Sequence, residues 1–327
     1  METNDAIPFV SVILPTYNEE RYIRTCIESL TAQTYPRTSM EWIIVDGDST
    51  DNTRRIIDEF IDNYPIRLIV NKARTTPVSL NMGIQAARGE FIIRFDAHAS
   101  FPPNYIEKCV VCLQTIEADN VGGWVETKAE GFVGKSISKM LSSKFGVGGS
   151  SFRTEQKSGF VDTVPFGAFR HEVFDSIGLF NEQLLRSEDN DINARIRDNG
   201  GGVYLCSEIH SIYYCRDSIP TVLQQGLQNG NALFRTLKIS PKAMRLRHYV
   251  PFTFFLSLVA LPVLSISFPL IKYLFLFEMA SYFTIDFYYS FVKSDRLLGL
   301  ITVWLFPLFH ISYGIGSFLG LIGVEVY

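Results

Sequence analysis

The sequence predicts an α/β fold, a mostly parallel sheet with crossover helices, followed by a C-terminal region of membrane helices. Three observations carry this expectation. Apolar runs that read as buried strands alternate four times with helical patterns in the first hundred residues. Each run ends in a polar cluster, and in open α/β sheets ligands bind just beyond the carboxyl ends of strands. The chain is 47% hydrophobic, and the apolar excess lies after Tyr249.

The first strand is Phe9 to Leu14, ended by Pro15-Thr16-Tyr17-Asn18-Glu19-Glu20. Tyr22, Ile23, Cys26, Ile27 and Leu30 then recur at helical spacing until Tyr35-Pro36. Trp42 to Val45 is the second strand. It runs into Asp46-Gly47-Asp48-Ser49-Thr50-Asp51-Asn52-Thr53, rich in oxygen ligands and helix-capping residues, before a helix over Arg54 to Tyr64. The third strand, Arg67 to Val70, delivers Asn71-Lys72-Ala73-Arg74 ahead of a helix over Val78 to Ala87. The fourth, from Phe91, ends in Asp96-Ala97-His98. Read as strand positions i and i+2, Asp96 and His98 face one side, and an oxygen with an imidazole suits Mn²⁺ or Mg²⁺. Any one cluster is ordinary turn chemistry, whereas four in register argue for a nucleotide site.

Several classes are disfavoured. The net charge of -4 gives no global basic field for nucleic acid. Neither G-x-G-x-x-G after the first strand nor G-x-x-x-x-G-K-[ST] is present, which argues against dinucleotide-binding and P-loop folds. Cys109 and Cys112 form a lone C-x-x-C within a helical pattern and read as buried structural thiols in a reducing compartment. No charged and then apolar leader opens the chain, so the N-terminal part is expected in the cytosol.

In the middle, a helix over Asn104 to Glu117 precedes a strand over Val121 to Lys128 and a helix over Lys135 to Ser143. The Gly-rich stretch Phe145 to Arg153 reads as a mobile loop, either a flap that orders on ligand binding or a surface connection. Phe160 to Arg170 is strand-like, with Gly167 and Ala168 small enough for a ligand to approach the backbone. Ser187 is expected to cap an acidic helix start, Glu188-Asp189-Asn190-Asp191. Two short strands, Val203 to Cys206 and Ile209 to Cys215, and a helix after Ile219 carrying Gln224, Gln225 and Gln228 complete this part.

Val12-Ile13-Leu14-Pro15-Thr16-Tyr17-Asn18-Glu19, Ile44-Val45-Asp46-Gly47-Asp48-Ser49-Thr50-Asp51 and Phe95-Asp96-Ala97-His98 together resemble family 2 glycosyltransferases of the GT-A fold, a Rossmann-like nucleotide-sugar-binding domain. Phe145 to Arg153 and Phe160 to Arg170 are similar to the succinoglycan and exopolysaccharide glucosyltransferases of that family, which implies that the ligand approaching Gly167 and Ala168 is a sugar. The resemblance implies that Pro15, Thr16, Tyr17 and Glu19 line a nucleobase and ribose pocket. Asp46 would contact the uracil of a UDP-sugar, with Asp48 and Arg74 nearby. Asp96-Ala97-His98 would be the D-x-D element in a D-x-H form, so that Asp96 serves donor and metal and His98 is the second metal ligand. It implies Asp189 as general base, Glu188 shaping the acceptor pocket and Asp191 as the alternative base. Processive members carry Q-x-x-R-W. Here Gln225-Gly226-Leu227-Gln228-Asn229 lacks the Arg and the Trp, which favours a single-addition enzyme with Gln225 and Gln228 on the acceptor side.

Arg235, Lys238, Lys242, Arg245, Arg247 and His248 approach three apolar stretches, Pro251 to Leu270, Tyr273 to Val292 and Leu297 to Val324. Their lengths suit about three crossings, with the basic clusters inside the cell and Glu325 to Tyr327 outside. Glu278 and Asp286 should face other helices, and Gly314, Gly316, Gly320 and Gly323 offer close packing. The expected organisation is a catalytic domain over 1–217, basic amphipathic linker helices over 218–249 and a membrane region over 250–327. The expected activity is an inverting, metal-dependent transfer of a hexose, glucose first among them, from a UDP-sugar to a polyprenyl-linked saccharide at the cytoplasmic face of the plasma membrane, with no nucleic-acid partner. A processive synthase and a non-catalytic nucleotide-sugar-binding subunit are the alternatives.

Overall fold

The computed structural model describes residues 7–326; the first six residues of the expected catalytic domain and Tyr327, expected beyond the last span, lie outside the described residues. Packing divides the chain into two compact units that interleave in sequence: one up to Glu126 together with 155–213, the other 127–154 together with the chain from Tyr214. The sequence division at 217 follows the chain, whereas packing assigns 127–154 to the helices beyond Tyr214.

The first unit holds β1 (Val10–Thr16), α1 (Ile23–Thr31), β2 (Met40–Asp46), α2 (Thr53–Ile61), β3 (Ile66–Val70), α3 (Thr76–Ala86), β4 (Phe91–Arg94), β5 (Ala99–Ser100) and α4 (Tyr105–Thr115). β6 (Asn120–Lys128) leads to the insertion α5 (Gly131–Leu141), α6 (Lys144–Val147) and α7 (Ser151–Thr154) of the second unit. β7 (Gly159–Phe160), β8 (Ala168–Arg170), α8 (Val173–Ile177), α9 (Glu188–Asp198) and β9 (Val203–Tyr214) follow. The sheet order is β3-β2-β1-β4-β8-β6-β9-β5, with β7 on β9. β1, β2, β3 and β4 are parallel, and β8 turns antiparallel between β4 and β6. Helices on both faces require a strand to be apolar throughout. Accordingly Val10, Val12, Ile13, Leu14, Ile43, Ile44, Val45, Phe91, Ile92 and Ile93 are all buried.

Three local expectations change. The fourth strand stops at Arg94, and Asp96 to His98 form a turn closed by Ala99 N donating to Asp96 O. Phe160 to Arg170 is strand only at its two ends. Val203 to Tyr214 is one strand of 12 residues instead of two, because no Gly or Pro interrupts it and β7 and β5 pair with its two ends. Cys109 and Cys112 are buried free thiols, as expected.

The second unit adds α10 (Ile219–Ile239), α11 (Val250–Ser267), α12 (Leu270–Phe287) with a π-helical turn over Tyr288–Val292, and α13 (Arg296–Leu321). Glycines let α10 and α13 touch backbone to backbone. A Cβ at Gly230 would meet the Tyr313 carbonyl, and one at Gly316 the Leu227 carbonyl. Gly314 packs on Phe255 of α11. Gly323, with φ +81°, ends α13 instead of packing. The Gly-rich stretch is tied down within this unit: the Phe145 carbonyl accepts from His310 Nε2 at 3.0 Å, and His310 Nδ1 accepts from the Tyr282 hydroxyl at 2.9 Å. Among the described residues two helices, α11 and α13, are long and apolar enough to cross a membrane. The middle stretch does not qualify, because Lys272, Glu278 and Asp286 all fall within α12. Its acids do turn inward: Glu278 accepts from Ser257 of α11 at 2.6 Å, and Asp286, wholly buried, accepts from Ser290 at 3.0 Å.

Candidate active site

The carboxyl ends of β1, β2, β3 and β4 meet on one edge of the first unit. Three of the loops there carry a non-glycine residue in the left-handed region, Asn18 (φ 53°), Asp48 (φ 59°) and Arg74 (φ 60°). Such conformations are held only where surrounding contacts over-determine them, and they gather at binding sites. Here the contacts are explicit. Asn18 N donates to Ser49 Oγ at 2.9 Å, Thr50 N donates to Asn18 Oδ1 at 2.8 Å, and Glu19 N donates to Thr53 Oγ1 at 2.7 Å.

Tyr17 is 41% exposed, and its ring lies against Gly47, where a Cβ would stand 3.1 Å from it. The Arg74 guanidinium lies 5.8 Å from the same ring and pairs with Asp48 at 3.0 Å. Tyr17, Asp48 and Arg74 thus form an exposed, polar-edged aromatic wall. Thr16 is buried beside it and Pro15 partly so. Asp46 is fully buried and uses both oxygens on its own loop and the start of α2, on Ser49 N (3.1 Å), Ser49 Oγ (2.5 Å) and Arg54 Nε (3.2 Å). It shapes the loop, and Asp48 is the acid that faces outward.

Arg94 organises the other half of the site. This last residue of β4 is nearly buried, with a side chain 7% exposed. Its Nε and Nη2 grip Asp96 at 2.9 and 3.2 Å, and its Nη1 donates to Asp189 at 2.6 Å and to Glu188 at 3.3 Å. One guanidinium therefore gathers three carboxylates from two elements remote in sequence. Burial disfavours its charge, but Asp189, Asp96 and Glu188 outweigh that and hold it firmly protonated. Burial pushes the Asp189 carboxyl up to about 7, with Glu188 and Asp96 adding to the rise and Arg94 opposing it. The sequence reading passed over Arg94. Its signal was a single cation in an otherwise apolar run, Phe91-Ile92-Ile93-Arg94-Phe95.

Ser187 starts α9, but with φ 66° its side chain caps nothing. The left-handed turn instead aims Glu188 and Asp189 at Arg94. Asp191, 2% exposed, pairs with Arg195 at 2.9 Å, and Arg195 also donates to the carbonyls of Ile177 and Leu179. That is a structural fastening of α9 onto the end of α8 and the turn after it.

Asp96 and His98 do not share a strand face, because the strand ends before them. Asp96 turns to Arg94, and His98 Nδ1 lies 3.0 Å from Glu19 Oε1. Among the described residues no three His, Cys, Asp or Glu side chains gather as a ligand set. One carboxylate and one imidazole at a strand end still match the way Mg²⁺ and Mn²⁺ are held at diphosphates, where phosphate oxygens and water complete the shell. Gly167 and Ala168 are buried, and the space beside Gly167 is filled by Asn120 and the Phe169 ring. Glycine stands there for packing, which corrects the expectation of an open approach for sugar. Gln225 and Gln228 lie on α10 of the second unit.

Residues 11–178 match the glycosyl transferase family 2 domain. Over 323 residues the chain is 29% identical to the dolichyl N-acetyl-α-D-glucosaminyl phosphate 3-β-D-2,3-diacetamido-2,3-dideoxy-β-D-glucuronosyltransferase of Methanococcus voltae, covering 96% of this chain and 97% of that one. Over 217 residues it is 26% identical to the succinoglycan biosynthesis protein ExoA of Rhizobium meliloti, covering 65% and 66%. The mannosyltransferase of Pyrobaculum calidifontis, solved with GDP-Man and Mn²⁺, superposes with a TM-score of 0.65 at 17% identity over 96% of this chain and 88% of that one, a likeness of fold.

Proposed function

The chain belongs to glycosyl transferase family 2 and is a glycosyltransferase, and on that premise we propose that it moves a single hexose, with inversion, from a UDP-sugar to a polyprenyl-linked saccharide in exopolysaccharide or other cell-surface glycan synthesis. The observation that carries this reading is the Arg94 cluster, which sets Asp189 beside Asp96 on the edge where the strand-end loops open.

The donor nucleotide is assigned to the wall of Tyr17, Asp48 and Arg74, with Pro15, Thr16, Glu19 and Asp46 behind it. Tyr17 offers a flat apolar face for a base, and Arg74 an opposing charge for phosphate. Asp189 takes the proton of the acceptor hydroxyl as that oxygen attacks the anomeric carbon. The bond to the UDP oxygen breaks on the opposite face, so the configuration inverts. Glu188 orients the acceptor, and Gln225 and Gln228 are assigned to the acceptor side. Asp96 and His98 are the residues proposed to hold a divalent cation, Mn²⁺ or Mg²⁺, which supplies positive charge to the departing diphosphate.

A lipid-linked acceptor is supported by two apolar helices long enough to enter a bilayer and by the dolichyl phosphate acceptor named for the Methanococcus voltae relative. On this reading the catalytic unit works at the cytoplasmic face of the plasma membrane. The test is UDP release from a panel of UDP-hexoses, glucose first, by purified membranes with polyprenyl-linked acceptor and Mn²⁺ or Mg²⁺. Asp189→Asn should lower turnover about 10²- to 10⁴-fold while donor binding is kept. Full transfer by that variant would exclude Asp189 as the base.

A further inference from the structure

We infer that the chain enters the bilayer only as the α11–α12 hairpin, that α13 lies flat along the membrane surface, and that both chain ends therefore stay on one side. Length and composition alone make α13 a span, but its neighbours do not.

α10 is the neighbour that decides. Its outer face exposes Thr221, Gln224, Arg235 and Lys238, so it belongs in water. α13 runs along it in the same direction, with Phe309 on Gly226, Tyr313 on Gly230 and Gly320 on Asn231. Beyond α13 the chain is pinned to α10 as well. Asn231 Nδ2 donates to the Val324 carbonyl at 2.7 Å, Val326 N donates to Asn231 Oδ1 at 3.2 Å, and Arg235 pairs with Glu325 at 2.9 Å. A helix clamped in this way to a water-facing one cannot be ringed by lipid. At its other end α13 is covered by α5, whose Ser136 contacts the Leu298 carbonyl.

What α13 leaves bare is one apolar stripe: Leu297, Leu300, Trp304, Leu308, Ile315 and Phe318, each 38% to 68% exposed. A buried face, an apolar stripe and a Trp midway along it describe a helix in the interfacial plane. α11 differs, with one residue of eighteen buried, Phe252, against nine of twenty-six in α13. It pairs antiparallel with α12, Phe254 stacking on Tyr282 and Ser257 bonding Glu278, and their connection, Phe268-Pro269, is apolar. At ~1.5 Å per residue each arm reaches about 27 Å, enough to enter the core, α12 doing so against α11 with Glu278 turned to Ser257 and Asp286 buried. The second unit carries fourteen Lys and Arg against six Asp and Glu. Exposed Lys135 and Lys139 on α5 and Arg245 before α11 supply the positive charge that an anionic lipid surface attracts.

Topology tests this independently of sugar chemistry. A protease-cleavable tag is placed at each chain end. Lys293→Cys, exposed just before α13, is probed with a membrane-impermeant maleimide against the background of the five native cysteines. In sealed vesicles of one orientation both tags should be cut and position 293 labelled. In the opposite orientation all three should be protected. Opposite protection of the two tags, the outcome of three crossings, overturns the inference. So does labelling of position 293 only where the tags are protected.

Discussion

Arg94 Nη1 donates to Asp189 Oδ1 at 2.6 Å while the same guanidinium grips both oxygens of Asp96. The proposed base and the proposed leaving-group carboxylate thus share one buried cation.

Removing that cation leaves three close carboxylates without a counter-charge. Breaking a buried pair from one side costs about 3–5 kcal/mol, so Arg94→Met should lower the urea midpoint markedly and abolish transfer. Arg94→Lys, keeping charge but not the forked geometry, should fold better and still turn over slowly. Wild-type stability in Arg94→Met would refute the shared-cation picture.

The proposed base, Asp189, can take a proton only when deprotonated, and its carboxyl is pushed up to about 7, chiefly by burial. Turnover should therefore rise with pH through about 7 in a rate profile at saturating donor. Arg94 holds that value down, so residual activity in Arg94→Lys should show its rise at higher pH. A profile flat from pH 5 to 9 would remove Asp189 from the proton transfer.

Glu41, 6% exposed, accepts from Ser11 Oγ at 2.7 Å and from Arg88 N at 2.8 Å. Burial raises its pKa, but these bonds and the Arg88 charge outweigh it and the net shift is downward. A depressed carboxylate stabilises above the unfolded pKa and loses that contribution as pH falls through the folded one. Glu41→Gln should thus cost about 1–3 kcal/mol at pH 7, and the gap to wild type should close in acid. Denaturant curves at pH 7 and pH 3.5 measure both.

Gly316→Leu and Gly230→Leu should each force α10 and α13 apart, because the new side chain meets a backbone carbonyl that cannot rotate away. Protease sensitivity of the 219–326 region should rise in both. Gly323→Leu points into open space, so only its left-handed backbone is strained, and it should be far milder.

The four parallel strands and the polar clusters at their ends were legible in the sequence, because period, breakers and strand-end chemistry are local properties. The inward turn of Glu278 and Asp286 was legible too, because acids inside an apolar stretch must find partners, whereas Tyr17, Asp48 and Arg74 were singled out by the family resemblance and not by local pattern. Arg94 could not, because its partners Glu188 and Asp189 lie more than ninety residues away and a cation in an apolar run has no local explanation. Strand periodicity also misplaced Asp96 and His98, since β4 ends at Arg94, one residue before its apolar run does, and the chain then turns. The packing reason for Gly167, the tie from Phe145 to His310 and the grouping of 127–154 with the C-terminal helices likewise follow from contacts between distant segments. Hydropathy sees α13 as a span because it reads one helix at a time. Only the tertiary structure sets it against α10, whose outer face exposes Gln224, Arg235 and Lys238, and burial by a neighbour is a property no single segment carries.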